Sequence, residues 1–170
     1  MRLFHVSESS DIKIFEPRPS PSHYDGISGN VVFAVSEEML HNYLLPRDCP
    51  RVSYYANKNT SQEDINAFIK PGSARYIAAV ESKWRAAIKD AVLYCYEFPA
   101  HNFSLLDANA GYYISYETVL PVSVRTFTDV EKELVMRNIE LRFVSSLIDL
   151  AEKVQRSSLS FSLIRMKNAI

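Results

Sequence analysis

Three places in this sequence carry side chains whose type and spacing suit chemistry. The first is Pro46-Arg47-Asp48-Cys49-Pro50-Arg51, where two guanidinium groups sit on a turn stiffened by two prolines. A guanidinium on a stiff turn loses little entropy on binding and can grip a phosphate or carboxylate through two parallel hydrogen bonds. The same turn also reads as a structural knot, because Asp48 can pair with either arginine. Cys49 attacks only as a thiolate, which nearby arginines favour, yet the sequence places no evident base beside it.

The second place is the opening Leu3-Phe4-His5-Val6-Ser7, in which His5 and Ser7 share one side of an alternating stretch. An imidazole there can exchange hydrogen bonds with a sugar hydroxyl or move a proton near neutral pH, and it can equally be a satisfied structural histidine. The third is Glu117, which follows Tyr112-Tyr113-Ile114-Ser115-Tyr116. A carboxylate among aromatics can be held beside a ligand and partly desolvated, although an exposed loop glutamate is the plainer reading. The ten tyrosines offer stacking faces for a nucleotide ring, or simply fill a half-buried sheet face.

Other chemistries lack their signatures. The glycines, Gly26, Gly29, Gly72 and Gly111, form none of the glycine-rich phosphate or nucleophile-elbow patterns. His23, His41 and His101 have no metal-ligand spacing and Cys49 has no second thiol nearby, so no metal is expected.

The elements that must position these groups follow from composition and pattern. The 170 residues are 47% hydrophobic and 23% charged, which suits one globular domain over 1–170. A net charge of -1 supplies no global field toward nucleic acid or anionic lipid, so such binding needs a local patch. Two cysteines without C-x-x-C spacing suit a reducing compartment, and no apolar run resembles a signal peptide or membrane span. The expected location is the cytoplasm.

Short strands are expected at 3–7 and 12–15, then a proline- and serine-rich loop over 17–30 that is long enough for a lid. A strand at 31–35 should feed a helix capped by Ser36 and stopped near Leu45 by Pro46. Further strands are expected at 52–55, 76–80, 91–98, 103–106, 112–115 and 119–127. Helices should form from Thr60 or Ser61 to Ile69 and over 82–89. Thr128 and Glu131 make a capping box, and Val130, Leu134, Leu141, Val144, Leu147, Ile148, Ala151 and Val154 recur at helical spacing. That pattern predicts one long amphipathic helix over 128–155, followed by a last packed segment near 161–166. The fold class is α+β.

Leu3-Phe4-His5-Val6-Ser7-Glu8, Phe15-Glu16-Pro17-Arg18, Asn42-Tyr43-Leu44-Leu45 running on through Arg51, Gly111-Tyr112-Tyr113-Ile114-Ser115 and Leu163-Ile164-Arg165-Met166 together resemble a bacterial protein family of about this length that has no assigned activity. More distantly, His5 and Ser7, the piece from Ile12 to Pro17, Val32-Phe33-Ala34-Val35-Ser36 with Asn42-Tyr43, and Ser115-Tyr116-Glu117 resemble the ADP-ribosyltransferase superfamily, including the RNA 2'-phosphotransferases. This likeness implies a split, mostly antiparallel β-sheet binding NAD or a related nucleotide. It implies that His5 and Ser7 hold a ribose, that Phe33 or Tyr43 stacks on nicotinamide, and that Glu117 is the catalytic carboxylate. Arg18, Arg47 and Arg51 become candidates for pyrophosphate or an RNA phosphate, with RNA or protein as acceptor. The competing expectation is a non-catalytic nucleotide-binding or protein-interaction module. What separates the two is whether His5 and Glu117 reach one side of the fold.

Overall fold

The computed structural model describes residues 1–21 and 23–170; Ser22, in the loop expected over 17–30, lies outside the described residues. The chain is mixed α+β and divides into two compact units. One comprises Met1–Tyr43 and Val92–Phe127, the other Leu44–Ala91 and Thr128–Ile170.

The first unit is a six-stranded sheet built from β1 (Leu3–Ser7), β2 (Val32–Ser36), β5 (Leu93–Phe98), β6 (Ser104–Asp107), β7 (Tyr112–Ser115) and β8 (Ser123–Phe127). Its strands run in the order β6-β7-β2-β1-β5-β8, with every pairing antiparallel. Alternation sorts side chains to two faces. Leu3, Val32, Ala34, Tyr96 and Phe98 turn to one face and form a core with Phe15 and Val119, which lie across it and pair by backbone bonds of 2.8 and 2.9 Å. Phe4, Phe33, Val35 and Ile114 turn to the other, as the pairs Phe4↔Val35 and Phe33↔Ile114 require. The expected strands at 12–15 and 119–127 thus shrink to one isolated bridge plus β8. The expected loop begins after Arg18, whose backbone pairs in both directions with Val31.

The second unit is a four-stranded sheet of order β10-β3-β4-β9, from β3 (Arg51–Tyr55), β4 (Tyr76–Glu81), β9 (Ile139–Val144) and β10 (Ser160–Ile164). The β4 and β9 strands are parallel and the other pairings antiparallel. Helices α1 (Gln62–Phe68), α2 (Arg85–Asp90), α3 (Val130–Met136) and α4 (Ile148–Gln155) belong to this unit. Ser61 caps α1, its hydroxyl accepting from the Asp64 N–H at 3.1 Å. Leu147, at the N-cap of α4, and the α4 residues Ala151 and Val154 pack on Val52, Tyr54, Ile77 and Ala79.

The long helix expected over 128–155 does not form. Asp129, rather than Thr128, caps α3, and Asn138 takes a left-handed backbone with φ 58° that ends the helical path. The next stretch, Ile139-Glu140-Leu141-Arg142-Phe143, also alternates with period two, and it joins the sheet beside β4. Arg142 anchors it: its guanidinium donates to the Tyr54 hydroxyl at 2.9 Å, the Phe68 carbonyl at 2.9 Å and Ser73 Oγ at 3.1 Å, beside Glu140. Charge-assisted bonds of this kind contribute about 1.5–3 kcal/mol each, more than the tenths per residue at stake in helix propensity.

The helix expected after Ser36 is likewise only a 3-10 turn, Leu40–Tyr43. Met39, Leu40, His41, Asn42, Leu44 and Leu45 are all buried, so this stretch has no solvent side to support an amphipathic helix.

Candidate functional site

His5 and Ser7 stand on β1 with their side chains toward the Phe15 face of the six-stranded sheet. The His5 ring lies 5.0 Å from Phe15 and 6.2 Å from Phe98, centroid to centroid. Its Nδ1 is 3.4 Å from the Phe33 carbonyl, an oxygen that can only accept, so the contact is a hydrogen bond only when Nδ1 carries a proton. Both residues are half-buried.

Antiparallel pairing brings the end of β1, the start of β2 and the end of β7 to one edge. Ser7 pairs with Tyr94 and Val32 with Ser115, whose side chain is buried on the same face. Glu117 lies two residues past Ser115, and its backbone N–H donates to Ser115 Oγ at 3.1 Å. Among the described residues its carboxylate is exposed and takes no hydrogen bond or ion pair. Arg18, paired by its backbone with Val31, enters at this edge with an exposed side chain. The Tyr116 hydroxyl accepts from the Ser28 N–H at 3.3 Å and donates to the Gly26 carbonyl at 3.4 Å, which ties the neighbouring loop to the end of β7. Ser7, Arg18 and Glu117 therefore lie toward one end of the sheet, and His5 stands at the middle of β1, two residues before Ser7 on the same face.

Phe33 and Tyr43 are not part of that group. Phe33 points to the opposite face, where it packs 6.0 Å from Tyr24 and 6.4 Å from Tyr112. The Tyr43 hydroxyl hydrogen-bonds that of Tyr112. Burial raises the Tyr24 phenol pKa, reinforced by Tyr112 and Asp107. This aromatic cluster had no spacing signal in the sequence, because Tyr24 comes from the loop and Tyr112 from a distant strand. An open depression of about 380 Å³ beside it is lined by Ser20, Pro21, His23, Tyr24, Ile27 and Gly29.

Arg47 and Arg51 belong to the other unit. Arg47 is exposed, while Arg51 is 3% exposed and its Nη1 donates to the carbonyls of Pro46 at 3.1 Å and Cys49 at 2.8 Å. That bonding holds the proline turn in shape. Asn168 closes the turn from outside by donating to the Asp48 carbonyl at 2.7 Å. Cys49 is buried, and burial pushes its thiol pKa up to about 11 despite the lowering effect of Arg51, with Glu81 adding to the rise. A thiol so placed is a poor nucleophile.

The sequence missed Glu81, the most enclosed charge in the second unit, with no exposed surface. Its Oε1 accepts from the Ile170 N–H at 2.8 Å and the Leu147 N–H at 3.4 Å, and Lys83 Nζ stands 3.2 Å from Oε2. Burial drives its pKa up, but these N–H donors and Lys83 prevail and hold it below the usual carboxylate value. Its alternating position at the end of β4 could have marked it as inward-facing.

Strand order and pairing define a mixed α+β protein of two mostly antiparallel sheets. The chain belongs to the family of unknown function DUF6886, whose model matches residues 4–169. No curated protein and no solved structure matches it. No helix among the described residues is long and apolar enough to cross a membrane.

Proposed function

We propose that the end of the six-stranded sheet carrying Ser7, Arg18 and Glu117, with His5 on the same face of β1 as Ser7, binds a ribose-bearing nucleotide, NAD or a close relative, in the manner of an ADP-ribosyltransferase. The observation that supports this reading is that strand pairing sets Ser7 and Glu117, the latter without a hydrogen bond or ion pair to its carboxylate among the described residues, toward the same end of the sheet, with His5 on the same face of β1 as Ser7. The His5 imidazole meets a ribose hydroxyl, Ser7 supplies a second polar contact, and the Arg18 guanidinium meets the pyrophosphate. Glu117 then stabilises positive charge at the anomeric carbon. As the glycosidic C–N bond breaks, nicotinamide keeps the bonding pair, and an acceptor oxygen or nitrogen bonds to that carbon and releases its proton. Phe33 and Tyr43 have no ligand contact in this reading and serve to pack the opposite face.

The test is thermal unfolding with and without NAD or ADP-ribose, in wild type, His5→Ala and Glu117→Gln. Ligand at about 100 times its dissociation constant adds roughly 2.7 kcal/mol, a rise of about 5–11 °C for a chain of this size. The rise should vanish in His5→Ala and persist in Glu117→Gln, and only the wild type should release nicotinamide. Binding without release in wild type would leave a nucleotide-binding module; no rise with either ligand would refute the site.

A further inference from the structure

The carboxylate of Glu117 stands on a short exposed arc that is held at both ends. Ser115 closes β7 at one end, paired with Val32 and 2% exposed. Val119 holds the other, buried and bonded to Phe15 in both directions at 2.8 and 2.9 Å. Between them Tyr116, Glu117 and Thr118 are all exposed. An exposed arc of this kind keeps enough backbone freedom to carry a side chain away from any one position.

What removes that freedom at Glu117 is the Ser115 side chain. Its Oγ accepts from the Glu117 N–H at 3.1 Å and donates to the Glu117 carbonyl at 3.4 Å, so one hydroxyl engages both backbone groups of the residue two positions on. Serine makes such local turns because its hydroxyl is short and can both donate and accept. Burial matters as much as the bonds: a buried Oγ meets little competing water, and pairing with Val32 fixes the strand that carries it. Tyr116 adds a tie on the outside, through its hydroxyl to Ser28 and Gly26. The backbone is therefore pinned at Glu117 from within and one residue earlier from the loop. The Glu117 carboxylate itself takes no hydrogen bond or ion pair among the described residues.

A fixed base under an unengaged carboxylate holds a charge in place for a ligand. A carboxylate with a purely local role is spent on its own surroundings, as Asp64 is on Ser158. Resting on the nucleotide reading above, we propose that Ser115 is the positioning residue for Glu117. Its hydroxyl does not touch the ligand but sets the turn from which Glu117 meets the anomeric carbon.

Ser115→Ala deletes the hydroxyl with almost no change of volume, and Ser115→Thr keeps it. Exchange of the Glu117 amide proton, followed by NMR, should be about fivefold faster in Ser115→Ala, the factor for one neutral hydrogen bond. The NAD-induced thermal rise should persist in that variant. Nicotinamide release should fall by about 10- to 100-fold in kcat with KM nearly unchanged, and Ser115→Thr should recover most of the rate. A merely structural serine would lower Tm without separating kcat from KM. Unchanged amide exchange, release at the wild-type rate in Ser115→Ala, or loss of the NAD rise in that variant would each overturn this role and leave the nucleotide reading standing. A wild type that releases no nicotinamide would overturn the transfer reading and this role together.

Discussion

Replacing Glu81 by glutamine removes one charge and almost no volume from the second unit, which makes the cost readable in parts. Oε1 accepts from Ile170 and Leu147, and Oε2 faces Lys83. A neutral amide oxygen keeps both N–H partners but turns charge-assisted bonds of about 1.5–3 kcal/mol into ordinary ones of about 0.5–1.5. Lys83 is 42% exposed and rehydrates, so the pair itself accounts for only about 0.2–1 kcal/mol. The new NH2 group lies buried against an ammonium with nothing to accept its hydrogens, a penalty of about 1–3 kcal/mol. Removing a carboxylate from a dry site returns part of its desolvation cost, which leaves a net loss of about 2–4 kcal/mol.

Urea unfolding followed by Trp84 fluorescence measures this directly, since Trp84 is the only tryptophan and lies three residues from Glu81 on the same unit. The pH dependence supplies a second reading. Because the folded-state pKa is lowered, the carboxylate's contribution is fully present above the unfolded value near 4.5 and is lost as pH falls through the folded value. The gap between wild type and variant should therefore be constant from neutral pH to about 5 and shrink in more acid solution. A gap below about 0.5 kcal/mol at neutral pH, or one that widens toward acid, would refute the reasoning.

Two further outcomes follow from local geometry. Gly111 has φ +65°, and a Cβ there would lie 2.5 Å from Ser36 Oγ and 2.7 Å from Met39 Cγ, so Gly111→Ala should lower stability by about 1–3 kcal/mol in chemical denaturation. Cys49, with its thiol raised to about 11 and buried, should react with a thiol reagent at pH 8 far more slowly in the folded chain than in urea; equal rates would show that the turn opens freely.

Much of the strand content was legible locally. Leu3–Ser7 and Tyr112–Ser115 carry the alternation of half-buried strands, and both strands formed at the expected places. Helix α1 began at one of its two candidate caps, Ser61. The stretch 128–155 was illegible because two periods coexist in it. Leu134, Leu141 and Val144 fit a helical stripe, while Ile139, Leu141 and Phe143 fit a strand, and only the partners distant in sequence choose between them.

The candidate site shows the same division. The types of the groups, an imidazole, a hydroxyl and a carboxylate in short extended segments, were determined by the sequence alone, because side-chain chemistry is local. Which of them meet was decided by strand pairing. Antiparallel register carries Ser7, Val32 and Ser115 to one end of the sheet, whereas alternation turns Phe33 away from His5. Burial, too, was a tertiary outcome: it took the Arg51 guanidinium from a possible ligand clamp to a brace for its own turn and raised the Cys49 thiol out of the reactive range. The physical reason is that a charge's role depends on its solvent and its neighbours, and residues distant along the chain supply both.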